Sequence, residues 1–166
     1  SVEPVREVIR TIITDVRSMA KTLDHNAVQR FGLLPCLTLE LERIERMGRV
    51  KTQLITLGEP YELGNDAEIV LLRMAQESLN NALKHARARL LTVSVDYQPD
   101  TFGLTIADDG QGFAPTEVVS RDVRQAGAGL TNLSRRAGLL GGTCTVQSKS
   151  GKGTRVHISV PRQHTV

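Results

Sequence analysis

Strand-like segments arrive in consecutive pairs, and this constrains the fold more than any other feature of the sequence. Leu90–Tyr97 and Thr101–Ala107 flank the turn residues Gln98-Pro99-Asp100. Gly142–Ser148 and Thr154–Val160 flank Ser150-Gly151-Lys152-Gly153, and Pro161 closes the last segment. Such runs, separated by short turns, read as antiparallel neighbours. A further strand, Val50–Leu57, stands alone before a long helix. The sheet is therefore expected to be mixed, not wholly parallel.

Helices supply the second layer. Asn65-Asp66 marks a helix start, and Glu68–Arg87 is strongly helical. An earlier helix spans Leu33–Met47, with Pro35 tolerated in its first turn and Gly48 at its end. Another follows the glycine-rich stretch Asp108–Gly129 and runs to about Leu140. Near the start, Val5, Val8, Ile9, Ile12, Ile13, Val16, Met19, Ala20 and Leu23 recur at spacings of three and four. That stripe must pack on the domain or pair with another helix or chain, and its length favours the second. Asp24–Phe31 reads as polar and irregular. The order gives an α/β fold: a two-layer sandwich of a mixed sheet and helices, with an N-terminal helical arm.

Composition narrows the function classes. The 166 residues suit one compact domain, and 40% hydrophobic with 23% charged residues is an ordinary globular balance. No apolar run approaches the roughly 18 residues that cross a bilayer. Lys and Arg number 21 against 18 acidic residues, and they are spread along the chain instead of forming a basic arm. Two Tyr, three Phe and no Trp offer few platforms for stacking bases. No nucleic-acid partner is expected, and no membrane contact by these residues. Cys36 and Cys144 have neither redox nor zinc spacing, and read as buried thiols in a reducing compartment.

Four constellations carry chemistry. On the long helix, Glu77, Asn81 and His85 recur at four-residue spacing and share a face, with Asn80 and Lys84 beside them. An Asn oxygen can ligate Mg²⁺, and Lys and His can meet phosphates. Next, Asp108-Asp109-Gly110-Gln111-Gly112-Phe113 follows a strand directly; its glycines permit a sharp turn and close approach to a ligand. Third, Gly127-Ala128-Gly129-Leu130 precedes a helix and places free N–H groups toward an anion. No Gly-Lys-Ser/Thr follows, so this is not a Walker phosphate loop. Last comes Gly151-Lys152-Gly153-Thr154 between two strands. Each alone also reads as a solvated helix face, a turn or a plain helix entry.

Together and in this order, the four boxes resemble the Bergerat ATP-binding fold of sensor histidine kinases, gyrase-type topoisomerases and MutL-type repair proteins. The likeness covers about residues 50 to 161. Ala75-Gln76-Glu77-Ser78-Leu79-Asn80-Asn81-Ala82-Leu83-Lys84-His85-Ala86 looks like the asparagine box of the nitrate-sensor and desaturase-sensor type of histidine kinase. Gly129-Leu130-Thr131-Asn132-Leu133-Ser134-Arg135-Arg136-Ala137, closed by Leu140-Gly141-Gly142, agrees, as does a short lid over Ala114–Ala126. Arg30-Phe31-Gly32-Leu33-Leu34-Pro35 is similar to that subfamily's junction segment.

The resemblance implies ATP and Mg²⁺ as cofactors. Asp108 would accept a hydrogen bond from the adenine amino group, with Thr154 supporting it. Gly110 and Gly112 would let the chain pass close to the nucleotide. Asn81 would hold Mg²⁺, with Asn80 as a second contact. Lys84 and His85 would lie near the phosphates. Gly127 and Gly129 would present N–H groups to them, with Leu130 in the same box. Glu77 matches the general base of the water-hydrolysing relatives, although the acceptor in a histidine kinase is an imidazole.

On this reading residues 1–49 are the tail of the second dimerisation helix and a junction helix, and residues 50–166 are the catalytic ATP-binding domain. The phosphoacceptor histidine would lie on a preceding helix absent from the chain. His25 sits in an inverted order for that role, and neither His157 nor His164 has an identifiable partner. The implied partners are the parent's own dimerisation and histidine-phosphotransfer helices, a response regulator, and a second copy in a full-length homodimer. The implied location is cytoplasmic, with the parent open to membrane anchoring. The competing reading of the same fold is an anti-sigma-factor serine kinase or switch protein, against which the helical first 50 residues argue. A non-catalytic nucleotide module and a topoisomerase or repair ATPase fit less well, given the intact boxes and short lid.

Overall fold

The structure, a computed structural model, describes residues 27–85, 87–112 and 126–162. Along these the order is α1 (Leu33–Arg46), β1 (Lys51–Gly58), α2 (Asn65–His85), β2 (Leu90–Tyr97), β3 (Thr101–Asp108), α3 (Ala126–Leu139), β4 (Thr143–Lys149) and β5 (Gly153–Pro161). The apolar stripe over residues 5–23, His25 and His164 lie outside the described residues, as does the short lid expected over Ala114–Ala126, except for Ala126 itself.

The five strands form one mixed sheet in the order β1-β2-β3-β5-β4. β1 pairs with β2 in parallel, and every other pairing is antiparallel. The expected α/β sandwich is therefore what the chain forms. β5 enters between β3 and β4, so the connection through α3 carries the chain to the outer edge before the last hairpin returns inward.

Alternation along the strands fixes which face is buried. Leu91, Val93, Val95 and Tyr97 of β2 stand in register with Asp108, Ile106, Leu104 and Phe102 of β3. Val156, Ile158 and Val160 extend these rows into β5. All of these hydrophobic side chains are at most 7% exposed. The helices cover them: α1 lies on β1, α2 on β3, and α3 on β4 and β5. Helical spacing supplies the opposing layer, through Leu37, Leu41 and Ile44 of α1, Leu71, Leu72, Met74, Ala75 and Leu79 of α2, and Leu133 and Ala137 of α3.

Residues 27–31 are helical, contrary to the irregular stretch expected there. Ala27 and Val28 are fully buried in the core, so tertiary packing overrides a polar local sequence. Cys36 is buried but Cys144 is only half-buried, because β4 is an edge strand; the two form no disulfide. Burial pushes the Cys144 thiol above its usual range.

One end of the sheet is closed by aromatic side chains. Tyr61 and Phe102 each stack on Tyr97 with ring centroids 5.0 Å apart. The Arg162 guanidinium lies 3.8 Å from the Tyr61 ring centroid. The Tyr61 hydroxyl reaches the Gln98 and Thr101 carbonyl oxygens at 2.6 and 3.0 Å. The opposite end of the same rows is polar.

Candidate functional site

At that polar end, one row across three strands breaks the apolar pattern. Asp108 stands in register with Thr154, and Thr154 with Ser148. The next rows are Ile106, Val156 and Val146, then Leu104, Ile158 and Cys144. Side chains two residues apart on a strand share a face, so Asp108, Thr154 and Ser148 all project toward the helix-covered side. The Ser148 and Thr154 hydroxyl oxygens are 2.9 Å apart. A carboxylate thus occupies a position where strand periodicity calls for a hydrophobe.

Asp108 and Asp109 are adjacent but do opposite work. Asp108 is half-buried, and its Oδ1 accepts the Gly110 N–H at 2.9 Å. Burial holds its carboxyl above the usual range, partly opposed by the Gly110 and Thr154 backbone N–H groups. Asp109 is exposed. Its Oδ1 accepts the Arg89 and Leu90 N–H groups at 2.8 and 3.0 Å. Those bonds, Leu90's foremost, pull its carboxyl below the usual range. Asp109 therefore pins the start of β2 to the end of β3, while Asp108 stands in the polar row beside Thr154.

Asp109→Ala should lower stability at neutral pH by about 1–2 kcal/mol, through loss of two charge-assisted bonds at an exposed site. That corresponds to a fall in Tm of about 2–8 °C. Because the folded pKa is lowered, this contribution is present above the unfolded value and disappears as pH falls through the folded one. Thermal unfolding of the two proteins should therefore converge in acid.

Glycines lock the loop after β3 against the last hairpin. Gly112 has φ +63°, and a Cβ there would collide with the Lys149 carbonyl oxygen. Gly153 has φ +89°, and a Cβ there would collide with the Asp108 carbonyl oxygen. The Gly151 N–H also donates to the Gln111 carbonyl oxygen at 2.6 Å. The second and fourth boxes, about forty positions apart in sequence, are thus interlocked backbone to backbone, and Gly110 is buried.

The asparagine box lies on the second half of α2. Asn80, Asn81 and Lys84 are exposed, and His85 is the last residue of the helix. Glu77 is half-buried, and its Oε2 accepts the Arg136 Nη1–H at 2.8 Å. The neighbouring Gln76 donates to Glu40 Oε1 of α1 at 3.2 Å. Consecutive residues of α2 thus hold both adjoining helices. Gly127 and Gly129 lie inside the first turn of α3, not before it, because the helix begins at Ala126. Their N–H groups are among the first four of the helix, which have no intrahelical partner. Leu130 follows in the same segment of α3.

Two residues were missed from sequence. Ser148 could have been found from inner-face alternation after Cys144 and Val146. Arg136 carried no local signal, because its partner is 59 positions away. His157 lies on the opposite sheet face, where its Nδ1 is 2.8 Å from Thr105 Oγ1, so it is separate from the site.

The family described as histidine kinase-, DNA gyrase B-, and HSP90-like ATPase matches residues 66–164, which takes in all four boxes. The chain belongs to this family. Within it, the chain is an ATP-binding domain of the sensor histidine kinase kind. It is 37% identical over 138 residues to the signal transduction histidine-protein kinase/phosphatase DegS of Bacillus subtilis, covering 81% of this chain and 35% of that protein. It is 27% identical over 157 residues to the oxygen sensor histidine kinase NreB of Staphylococcus carnosus, covering 95% and 44%. The chain therefore spans less than half the length of these relatives. Its fold matches the histidine kinase domain of a blue-light activated histidine kinase from Erythrobacter litoralis, with TM-score 0.64, 17% identity, and 93% and 84% of the two chains covered.

The donor set fits the nucleotide of this ATPase family. A half-buried carboxylate such as that of Asp108 suits an exocyclic amine. Exposed carboxamides suit Mg²⁺, which is usually held through one or two protein oxygens plus substrate phosphates. No described helix is long and apolar enough to cross a membrane.

Proposed function

We propose that this domain binds Mg-ATP and donates the γ-phosphoryl group to a histidine on a dimerisation helix outside this chain, for relay to an aspartate of a response regulator. The observation that carries the reading is the polar row Ser148–Thr154–Asp108 at the helix-covered end of the sheet. Asp108 accepts the adenine amine, and Thr154 supports the same edge of the base. Gly110 and Gly112 allow the chain to run close beside it. Asn81 holds Mg²⁺ with Asn80 as second contact, and the ion offsets charge on the phosphates. Lys84 and His85 lie toward those phosphates, as do the N–H groups of Gly127 and Gly129, with Leu130 beside them.

Catalysis of this kind is positioning plus charge neutralisation, with little covalent work for the protein. Residues 1–49 serve as the end of a dimerisation helix and the junction into the ATP-binding domain at residues 50–166. The parent works as a homodimer, with this domain in the cytoplasm. The test is calorimetric titration of the chain with a non-hydrolysable ATP analogue and Mg²⁺, followed by labelled ATP with the histidine-bearing helices supplied in trans. The expected result is saturable binding and label on the supplied histidine. Absence of binding would overturn the reading; binding without transfer would overturn the phosphotransfer half alone.

A further inference from the structure

Glu77 sits one turn before Asn81 on the same face of α2, and its carboxylate is already engaged. Arg136 donates to it at 2.8 Å, with both side chains about 70% shielded from solvent (27% and 30% exposed). Arg136 belongs to the helix whose first turn holds Gly127 and Gly129, about two turns earlier. The only fully buried side chains among those described on α3 are Leu133 and Ala137, a single i, i+4 stripe. Ser134, Arg135 and Leu139 face solvent, Leu139 at 75%. Arg136, three positions from Leu133, adds a charged side contact to α2 beside that stripe.

We infer that Arg136 is a positioning residue for the phosphate side of the nucleotide site. Its pairing with Glu77 fixes how the N-terminal turn of α3 is presented beside the Asn81 face of α2, and Glu77 serves this pair instead of taking a proton. The inference rests on the Mg-ATP reading above. Gln76 strengthens it by anchoring the same turn of α2 to Glu40 on the other side, so that α2 is the fixed member and α3 the positioned one.

The test measures affinity for a non-hydrolysable Mg-ATP analogue and for adenosine, in the wild type and in Glu77→Gln, Arg136→Gln, the double variant, Arg136→Lys, and the reversed pair Glu77→Arg with Arg136→Glu. Each Gln variant should weaken analogue binding about three- to tenfold while leaving adenosine binding unchanged, because the adenine anchor is untouched. The double variant should be no weaker than either single one. Arg136→Lys and the reversed pair should recover most of the affinity. Thermal unfolding identifies any variant that fails to fold; if Arg136→Gln is lost, the Lys and reversed variants carry the result. A Glu77→Gln chain that binds the analogue like the wild type behaves as a proton acceptor's variant would, and overturns the inference alone. Additive losses, or a reversed pair that folds but does not recover, also overturn it. A wild type that does not bind the analogue overturns the Mg-ATP reading and this inference with it.

Discussion

Asp108→Asn should abolish measurable Mg-ATP binding while leaving the nucleotide-free fold as stable as the wild type, or more so. Asn can still accept the Gly110 N–H through its oxygen, so the turn after β3 is kept. Its NH₂ group then faces the adenine amine, donor against donor. A site built to accept a hydrogen bond loses heavily when the acceptor is replaced, and at least about a hundredfold loss of affinity is expected.

The stability half of the prediction follows from the pKa direction. Burial raises the folded pKa of Asp108, so the ionised group disfavours folding above that pKa, and the penalty is relieved as pH falls through it. The substitution removes the same penalty at neutral pH. Binding runs the other way. It needs the carboxylate, so affinity should fall with acidification sooner than it would for an ordinary aspartate. Calorimetry across pH, paired with thermal unfolding, reads both. A variant that loses binding only because it unfolds would contradict this account of Asp108.

Gly153→Ala should be strongly destabilising and should remove nucleotide binding. The added Cβ meets the Asp108 carbonyl oxygen and comes within 3.1 Å of the Asp109 Cα, both backbone positions that cannot swing aside. Overpacking of this kind costs about 1–3 kcal/mol, and a left-handed conformation on a non-glycine residue adds about 1–2. With each kcal/mol worth about 2–4 °C at this size, the combined cost of about 2–5 kcal/mol should lower Tm by about 4–20 °C. Nucleotide binding should go with it, since relief of the clash displaces Asp108. Gly151→Ala is the control. Its φ is +80° but nothing lies within 4 Å of the added methyl, so only the conformational cost of about 1–2 kcal/mol applies and binding should persist. Equal effects of the two substitutions would show that the interlock between the glycine boxes does not hold the site.

The parts of the architecture legible in sequence were those set by local periodicity. β2 falls at Leu90–Tyr97 as read, because its inner residues alternate without interruption. The mixed sheet followed from consecutive strand pairs. The insertion of β5 between β3 and β4 did not, since no local pattern distinguishes the two edges of a hairpin. The helical residues 27–31 were missed because their signal is tertiary burial of Ala27 and Val28. Within the site, Asp108 was found as a motif member, yet the sharper clue is that it ends the inner row Phe102, Leu104, Ile106. The Glu77–Arg136 pair needed the fold, because side chains 59 positions apart meet only once α2 and α3 lie on the same sheet.

The most direct test of the central claim compares adenine with guanine nucleotides. Guanine carries a carbonyl oxygen where adenine carries its amine, so the Asp108 carboxylate would face an acceptor with no proton between them. Titration of the wild-type chain with non-hydrolysable ATP and GTP analogues, each with Mg²⁺, should give saturable binding of the first and at least about a hundredfold weaker binding of the second. Equal affinity for the two, or binding of neither, would contradict a nucleotide site anchored at Asp108.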